Sequence, residues 1–185
     1  MRLMLMAAAR EELGKLPGEV VGVGPVAAAA GAARLLHIHR PEAVVMLGSA
    51  GAYPRGPAVG TAIASARLGL SSGIATLGLG YVPRAPAPLA GAPHLLASLK
   101  VDHRPVLTVS AITTDSGLAA RLSDGWDVEH LEAYGVAWAC QQAGVPFVAV
   151  LGVSNEVGPG AHAQWLTHRD AAHAAAQAAV APLLR

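Results

Sequence analysis

The sequence predicts an α/β fold, a single domain in which a mixed, mainly parallel central sheet is flanked by helices. Three features of the 185 residues support this prediction. Short apolar runs alternate with longer segments of helical character along the whole chain. The run F-V-A-V-L-G-V from Phe147 is typical of a strand buried on both faces of a parallel sheet. Gly144 and Pro146 before it end a predicted helix. We expect the domain to cover residues 1–185.

Composition and charge indicate a compact protein without nucleic-acid or membrane partners. Hydrophobic residues make up 53% and charged residues 14%, which fits a compact protein with much buried surface or the interface of a homo-oligomer. The net charge of +1 gives no sign of a polyanionic partner. The apolar start is too short for a signal peptide, and the uncharged run 68–83 is too short and too flexible to span a bilayer. The single Cys140 excludes a disulfide framework, so we expect a reducing, cytoplasmic location.

The first predicted strand runs from Leu3 to Ala8 and leads into A-R-E-E-L. This places Glu11 and Glu12 at the carboxyl end of the strand, where a general base can face a ligand. In the alternative, both carboxylates only occupy the first turn of a helix, where the helix dipole favours negative charge. These residues alone leave both interpretations open.

The second predicted strand, Val20 to Val23, turns through G-V-G-P into a helix with Pro25 in its first turn. The glycine spacing is not that of a dinucleotide site, because the third glycine and a following acidic residue are missing. The next strand, Glu42 to Leu47, runs into G-S-A-G-A-Y. There, small residues allow backbone amides to approach a ligand closely. An ordinary tight turn is the alternative.

A strand is predicted from Val59 to Leu68. Residues 69–105 after it are rich in Gly, Pro and Ser and form a long predicted loop, whose role as a lid or as a subunit contact we leave open. Pro105 to Ser110 is a further strand. The segment A-I-T-T-D-S then leads into a helix that either Asp115 or Ser116 can cap. Capping can be the whole role of Asp115.

The stretch from Val128 to Trp165 contains most of the candidate chemistry. Glu132 stands at a predicted helix start, where the positive end of the dipole favours an ionised carboxylate. Ser154 and Asn155 follow the apolar run, at the carboxyl end of a strand where α/β sheets bind ligands. An Ala-rich helix from Thr167 to Arg185 completes the chain, and packing is its expected role.

Other chemistries are not supported. The chain has eight histidines but no H-E-x-x-H, and His37 and His39 point in different directions from a predicted helix. G-L-S-S-G is only superficially similar to a nucleophile elbow, and no P-loop is present. We expect neither a metal nor a cofactor.

The same motifs carry a resemblance that extends along nearly the whole chain. L-E-A-Y-G-V-A resembles the M-E-x-x-A-x-A signature of the purine nucleoside phosphorylase and nucleosidase superfamily. G-V-P-F-V-A-V-L-G-V-S-N is similar to the strand of that superfamily that ends in Ser-Asp or Ser-Asn. Asn155 followed by E-V-G and, after a short loop, by Trp165 is most similar to the futalosine hydrolases, nucleosidases of a menaquinone route.

The resemblance implies cleavage of the N-glycosidic bond of a purine nucleoside, most specifically futalosine, with release of hypoxanthine. It implies that Glu12 positions the attacking water, that Glu132 binds the ribose hydroxyls, and that Asn155 donates a hydrogen bond to the departing base. The implied substrate-binding residues are completed by Ser49, Ala50 and Gly51 near the ribose, Thr113, Thr114 and Asp115 beside the base, Leu131 in place of the motif Met, Ser154 and Trp165.

Three alternatives remain open. A phosphorylase needs a cation for phosphate, and Arg10 is the best placed candidate, but two glutamates follow it. A methylthioadenosine/S-adenosylhomocysteine nucleosidase carries Asp where this chain has Asn155, and an amide cannot deliver a proton. A catalytically degenerate nucleoside-binding member is the third, although such a protein has no reason to keep both Glu12 and Glu132. If the substrate carries a benzoate, His162 or Arg169 would meet it.

Overall fold

The computed structural model describes residues 1–184 and has one eight-stranded sheet with helices packed against it. The strands are β1 (Leu3–Ala7), β2 (Glu19–Val20), β3 (Ala43–Ala52), β4 (Ala62–Leu70), β5 (Leu89–Ala90), β6 (Asp102–Thr108), β7 (Val128–His130) and β8 (Phe147–Glu156). The helices are α1 (Arg10–Leu13), α2 (Pro25–His39), α3 (Gly73–Thr76), α4 (Pro93–Leu96), α5 (Ser116–Leu122), α6 (Ala133–Gln142) and α7 (Ala161–Val180), followed by a 3₁₀ turn (Ala181–Leu184).

The sheet is mixed and mainly parallel, which confirms the predicted fold class. β1 pairs in parallel with β2 and β3, β3 with β8, and β6 with β4 and β7. The antiparallel pairs are β3 with β7, β4 with β5, and β4 with β8. Five strands, β3, β7, β6, β4 and β8, therefore pair in a closed ring, while β1 and β2 extend from β3 and β5 extends from β4.

Two hydrophobic layers cover the sheet, because its central strands are apolar on both faces. Along β3, Val44 and Met46 pack in the layer that contains α2 and α6, whereas Val45 and Leu47 pack in the layer that contains α7. β8 shows the same alternation, and all residues from Phe147 to Asn155 are buried. Interior positions of this kind explain why the F-V-A-V-L-G-V run has no polar interruption.

The structure differs from the sequence prediction at several element ends. β3 continues through the G-S-A-G-A segment to Ala52, so this segment is a strand and not a tight turn; its register against β8 shifts after Ala50. β2 is only two residues long. α7 begins at Ala161, six residues before the predicted start, because Gly160 takes a left-handed conformation that ends the preceding loop.

The Gly- and Pro-rich segment 69–105 is mostly irregular and contains short α3, β5 and α4. Its first part exposes large apolar side chains, namely Leu70, Ile74, Leu77, Leu79, Tyr81 and Val82. Within residues 1–184, no helix combines the length and the apolar character that a membrane crossing requires.

Candidate functional site

A cavity of about 560 Å³ opens where β1, β3 and β8 end and where β7 turns into α6. Its volume lies in the range of small-molecule sites. The predicted residues that line it are Glu12, Ser49, Ala50, Gly51, Leu131, Glu132, Ser154, Asn155 and Trp165. Segments separated by more than 100 residues in sequence therefore meet at one place, and both predicted carboxylates belong to it.

Glu12 projects from α1 into this cavity. Its Oε2 accepts hydrogen bonds from the backbone amides of Ala8 at 2.9 Å and Ala9 at 3.2 Å. Burial raises the pKa of Glu12 to about 7; the nearby charge of Glu132 acts in the same direction, and the amides of Ala9, Ala8 and Ser49 oppose it. A carboxylate with this pKa can accept a proton near neutral pH and release it again.

Glu132 is buried at the N-cap position of α6. Its Oε1 accepts a hydrogen bond of 2.8 Å from the backbone amide of Gly24, which is the N-cap of α2. The N-terminal ends of two helices thus lie next to this carboxylate. Close contact between these helices needs Gly135, because a Cβ there would lie 2.4 Å from the carbonyl oxygen of Pro25. The contact with Gly24 has no signal in the sequence, since 108 residues separate the partners.

His130, at the end of β7, is a cavity residue that the sequence analysis missed. Its Nδ1 accepts hydrogen bonds from the backbone amides of Glu132 at 3.1 Å and Ala133 at 3.0 Å. An Nδ1 that accepts two hydrogen bonds has no proton, so the proton of the neutral ring is on Nε2. Burial lowers the pKa of His130 although Glu132 opposes this effect. The 3.4 Å separation of Nδ1 and Oε2 of Glu132 is consequently a contact and not an ion pair.

Asn155 lies near the end of β8, and two contacts set the orientation of its amide. The hydroxyl of Ser154 lies 2.9 Å from Oδ1, and Nδ2 donates to the carbonyl oxygen of Glu156 at 3.0 Å. A carbonyl oxygen only accepts, so Nδ2 must face Glu156. The amide nitrogen has two hydrogens, and the second remains available to a ligand in the cavity.

Helix α7 forms one wall of the cavity through stacked side chains. Trp165 Nε1 donates to the hydroxyl of Ser49 at 3.1 Å and so connects this wall to β3. The ring of His162 stacks on Trp165 with 5.8 Å between centroids, and the guanidinium of Arg169 lies 5.0 Å from the tryptophan ring. Asp170 and His173 also line the wall. α7 lies close to β8 because Gly152 leaves room for it: a Cβ there would be 1.9 Å from the carbonyl oxygen of Ala172.

The loop before α5 is held by a carboxylate that the sequence analysis did not use. Glu129 accepts hydrogen bonds from the amide of Thr113 at 2.9 Å, from its hydroxyl at 2.6 Å and from the hydroxyl of Tyr53 at 3.0 Å. Burial beside Glu129 raises the pKa of Tyr53. The signal in the sequence that could have identified Glu129 was the presence of a glutamate inside a buried strand.

Three predicted substrate-binding residues, Thr113, Thr114 and Asp115, are not among the described residues that line the cavity. Thr113 is buried and bonded to Glu129, whereas Thr114 and Asp115 are exposed. Asp115 accepts a hydrogen bond of 2.7 Å from the amide of Leu118 and so caps α5, as the alternative interpretation held. Ile112 is the residue of this loop that reaches the cavity.

The described residues do not gather three His, Cys, Asp or Glu side chains in a geometry suited to a metal ion. The cavity instead brings together the carboxylates of Glu12 and Glu132, the ring of His130, the amide of Asn155 and the aromatic wall of α7. Such a set can bind a hydroxyl-rich molecule with an aromatic part and can move one proton.

Comparisons with known proteins agree with this architecture. Residues 16–185 match the model of the Phosphorylase superfamily. The futalosine hydrolase of Streptomyces coelicolor is 36% identical over 165 residues, which cover 78% of this chain and 68% of that protein. The 5′-methylthioadenosine/S-adenosylhomocysteine nucleosidase of Chromohalobacter salexigens is 28% identical over 74% of this chain and 65% of its own length. The chain thus spans about two thirds of these curated relatives.

Among solved structures, the 5′-methylthioadenosine/S-adenosylhomocysteine nucleosidase of Neisseria meningitidis, in complex with methylthio-immucillin-A, has a TM-score of 0.86 at 20% identity. This similarity covers 100% of the present chain and 99% of that one, and it extends to the fold. Since the family model covers most of the chain, the protein belongs to the Phosphorylase superfamily.

Proposed function

We propose that the protein hydrolyses the N-glycosidic bond of a purine nucleoside, and that futalosine is the substrate. The observation that supports this most directly is the meeting of Glu12, Glu132 and Asn155 in one cavity. The similarity to a futalosine hydrolase at 36% identity points to the same reaction. A single domain over residues 1–185 contains the whole proposed site.

In this proposal, water attacks C1′ of the ribose while the bond from C1′ to the base breaks and its electron pair leaves with the base. Glu12 accepts the proton that the water loses. Glu132, ionised and fixed by the amide of Gly24, accepts hydrogen bonds from the ribose 2′ and 3′ hydroxyls. The remaining hydrogen on Nδ2 of Asn155 is donated to N7 or O6 of the departing base and stabilises its negative charge.

The other predicted cavity residues would position the substrate around this centre. Ser49, Ala50 and Gly51 lie along β3 next to the expected position of the ribose, and Ser154 holds the amide of Asn155. Leu131 and Trp165 offer apolar and aromatic surface to the nucleoside. Thr114 and Asp115 have no assigned contact in this arrangement.

Water is preferred to phosphate as the nucleophile because of the charges around Glu12. A phosphate dianion needs cationic donors, whereas two carboxylates line this part of the cavity. Arg10, the sequence candidate for a phosphate ligand, is exposed and is not among the described lining residues. Arg169 lines the cavity from α7, over the ring of Trp165.

The substrate should be a 6-oxopurine nucleoside. Adenine is a poor leaving group unless an acid protonates it, and the amide of Asn155 cannot act as an acid. This counts against the second candidate, a methylthioadenosine/S-adenosylhomocysteine nucleosidase, which the similarity to the Chromohalobacter enzyme keeps in consideration. A 6-oxopurine such as hypoxanthine needs only hydrogen bonding to its developing charge.

The test is release of free hypoxanthine from futalosine and from inosine, followed by chromatography with and without phosphate, with methylthioadenosine as a third substrate. We expect release from futalosine that needs no phosphate and is lost in Glu132→Ala. Release only with phosphate would assign the protein to the phosphorylases. Release of adenine from methylthioadenosine alone would favour the second candidate, and no release from any substrate would favour a nucleoside-binding role.

We also propose a homo-oligomer in the cytoplasm. The apolar side chains that segment 69–105 exposes, including Leu79 and Tyr81, are suited to contact with a second copy of the chain. The proposed location in the cytoplasm is supported by Cys140, which is a free, buried thiol whose pKa burial raises to about 12. A mass from light scattering that equals one chain would contradict the oligomer, and Leu79→Ser is expected to lower that mass.

A further inference from the structure

The most informative unassigned group is the ring of His130, which is 3% exposed and borders the cavity. Since the amides of Glu132 and Ala133 both donate to Nδ1, the ring presents one hydrogen-bond donor, Nε2–H, away from α6. Within residues 1–184, Nε2–H has no hydrogen-bond partner. Among the described residues, only Nε2 of His173 is fully buried without a hydrogen-bond partner, so Nε2–H of His130 is open to the cavity, where a ligand or a water can accept its hydrogen bond.

The position of Nε2 identifies what it faces. A Cβ built on Gly48 would lie 2.7 Å from Nε2 of His130, 3.3 Å from Cδ2 of Leu151 and 3.4 Å from Oε1 of Glu12. The histidine donor and Oε1 of Glu12 therefore flank the same point beside Gly48, with the apolar side chain of Leu151 next to it. The other oxygen of Glu12 is occupied by the amides of Ala8 and Ala9.

We infer that His130 is a positioning residue for the attacking water, which accepts a hydrogen bond from Nε2–H while it donates one to Oε1 of Glu12. This inference rests on the proposed function. A water held between a fixed donor and a fixed acceptor keeps one lone pair for C1′ of the ribose. In the reaction its proton passes to Glu12, and His130 keeps its own proton throughout.

Burial lowers the pKa of His130 and so favours the neutral ring that this role requires, whereas burial raises the pKa of Glu12 to about 7. The water bridge also stabilises the ionised form of Glu12, so loss of the donor should raise the pH at which Glu12 ionises. The charged or titratable groups that line the cavity with Glu12 come from three parts of the chain: Glu11 on α1, then Glu129 and His130 on β7 with Glu132 at the start of α6, and His162, Arg169, Asp170 and His173 on α7.

Two matched variants separate the donor from the structural role of the ring. His130→Asn places an oxygen near the position of Nδ1, which can still accept the α6 amides, but has no group at the position of Nε2. His130→Gln reaches the position of Nε2 with an N–H but cannot accept both amides. We expect the Asn variant to keep its melting temperature within a few degrees and to lose about tenfold to hundredfold in kcat. The Gln variant should be less stable but more active than the Asn variant.

The pH dependence gives a readout that a structural role would not change. In His130→Asn the acid limb of the kcat profile should move to higher pH, and so should the ionisation of Glu12 followed through the pH dependence of unfolding. Wild-type kcat and an unchanged acid limb in the Asn variant would overturn the inference. Activity that falls only in proportion to lost stability in both variants would overturn it as well. If the wild-type protein releases no base from any substrate, the proposed function is refuted instead. The water bridge between His130 and Glu12 is then tested by the pH dependence of unfolding alone, and it is refuted if Glu12 ionises at the same pH in His130→Asn as in the wild type.

Discussion

Replacement of Glu12 by Gln tests the electrostatics of the site through stability and activity together. The ordinary pKa of the carboxyl, 4.5, applies to the unfolded chain, and about 7 applies to the folded one. Between these two pH values the unfolded chain releases the proton while the folded protein retains it, so wild-type stability falls as pH rises. Each pH unit of this difference corresponds to about 1.4 kcal/mol, which gives a total of about 3 kcal/mol. Glutamine does not ionise and avoids the loss.

The free energy of unfolding of Glu12→Gln, measured relative to that of the wild type, should therefore be larger at pH 8 than at pH 4.5 by up to about 3 kcal/mol. Denaturant unfolding of both proteins at pH 4.5, 6, 7 and 8 measures this difference, and groups common to both proteins cancel. Glu11→Gln is the matched control for loss of a carboxylate, because Glu11 is the exposed neighbour on the same helix. A difference between Glu12→Gln and wild type that stays constant with pH would refute the electrostatic reasoning.

The same variant should lose roughly 10² to 10⁴-fold in kcat, since the general base is removed. In wild type, kcat should fall about tenfold for each pH unit below the pKa of about 7, because only the ionised carboxylate accepts a proton. A pH profile that is flat from 5 to 8 would exclude Glu12 as the base. Greater stability with lower activity is the expected combination.

Three further predictions concern other contacts of the site. Asn155→Asp should shift the substrate preference from 6-oxopurine towards adenine nucleosides, because an acid replaces an amide. The ratio of kcat/KM for the two substrate classes measures this preference, and an unchanged ratio would contradict the prediction. Trp165→Phe keeps an aromatic side chain but replaces the indole by a smaller phenyl ring and removes the bond to Ser49, so it should cost at least about 1 kcal/mol in urea unfolding, and no loss would show that the bond contributes nothing. Gly135→Ala should destabilise the protein by about 1 to 3 kcal/mol and raise KM, because the new Cβ forces α2, and Gly24 with it, to move. Gly73→Ala is the control and should be neutral, because a Cβ there meets only an ordinary contact at 3.6 Å. Equal effects of the two substitutions would contradict the packing argument.

The sequence predicted the parts of the site that lie within one element. Glu132 at a helix start and Ser154 with Asn155 at the end of an apolar strand were found because short-range rules describe helix caps and buried strands. The mixed sheet followed from the alternation of elements. The closed ring of five strands did not, because pairing between strands distant in sequence leaves no local pattern.

The missed features depend on contacts across the chain. The partner of Glu132 is the amide of Gly24, 108 residues away, which is not visible without the fold. His130 is two positions from Glu132 in sequence, but the direction of its ring depends on how β7 turns into α6. The strand was predicted to end at Leu47, with a tight turn as the alternative interpretation of the G-S-A-G-A segment, yet pairing with β8 keeps this segment extended. Thr114 and Asp115 were assigned through the resemblance, and the tertiary position of the loop before α5 leaves them outside the cavity lining.

The closed ring of strands has a consequence for anyone who wishes to redesign the specificity of this protein. Ser49 and Asn155 are carried by β3 and β8, each of which is paired on both sides, so changes in these strands propagate around the ring. The wall formed by α7 and the loop that contains Ile112 lie outside the ring. A mutational library restricted to residues such as His162, Trp165, Arg169 and Ile112 should therefore alter substrate range while most of its members still fold.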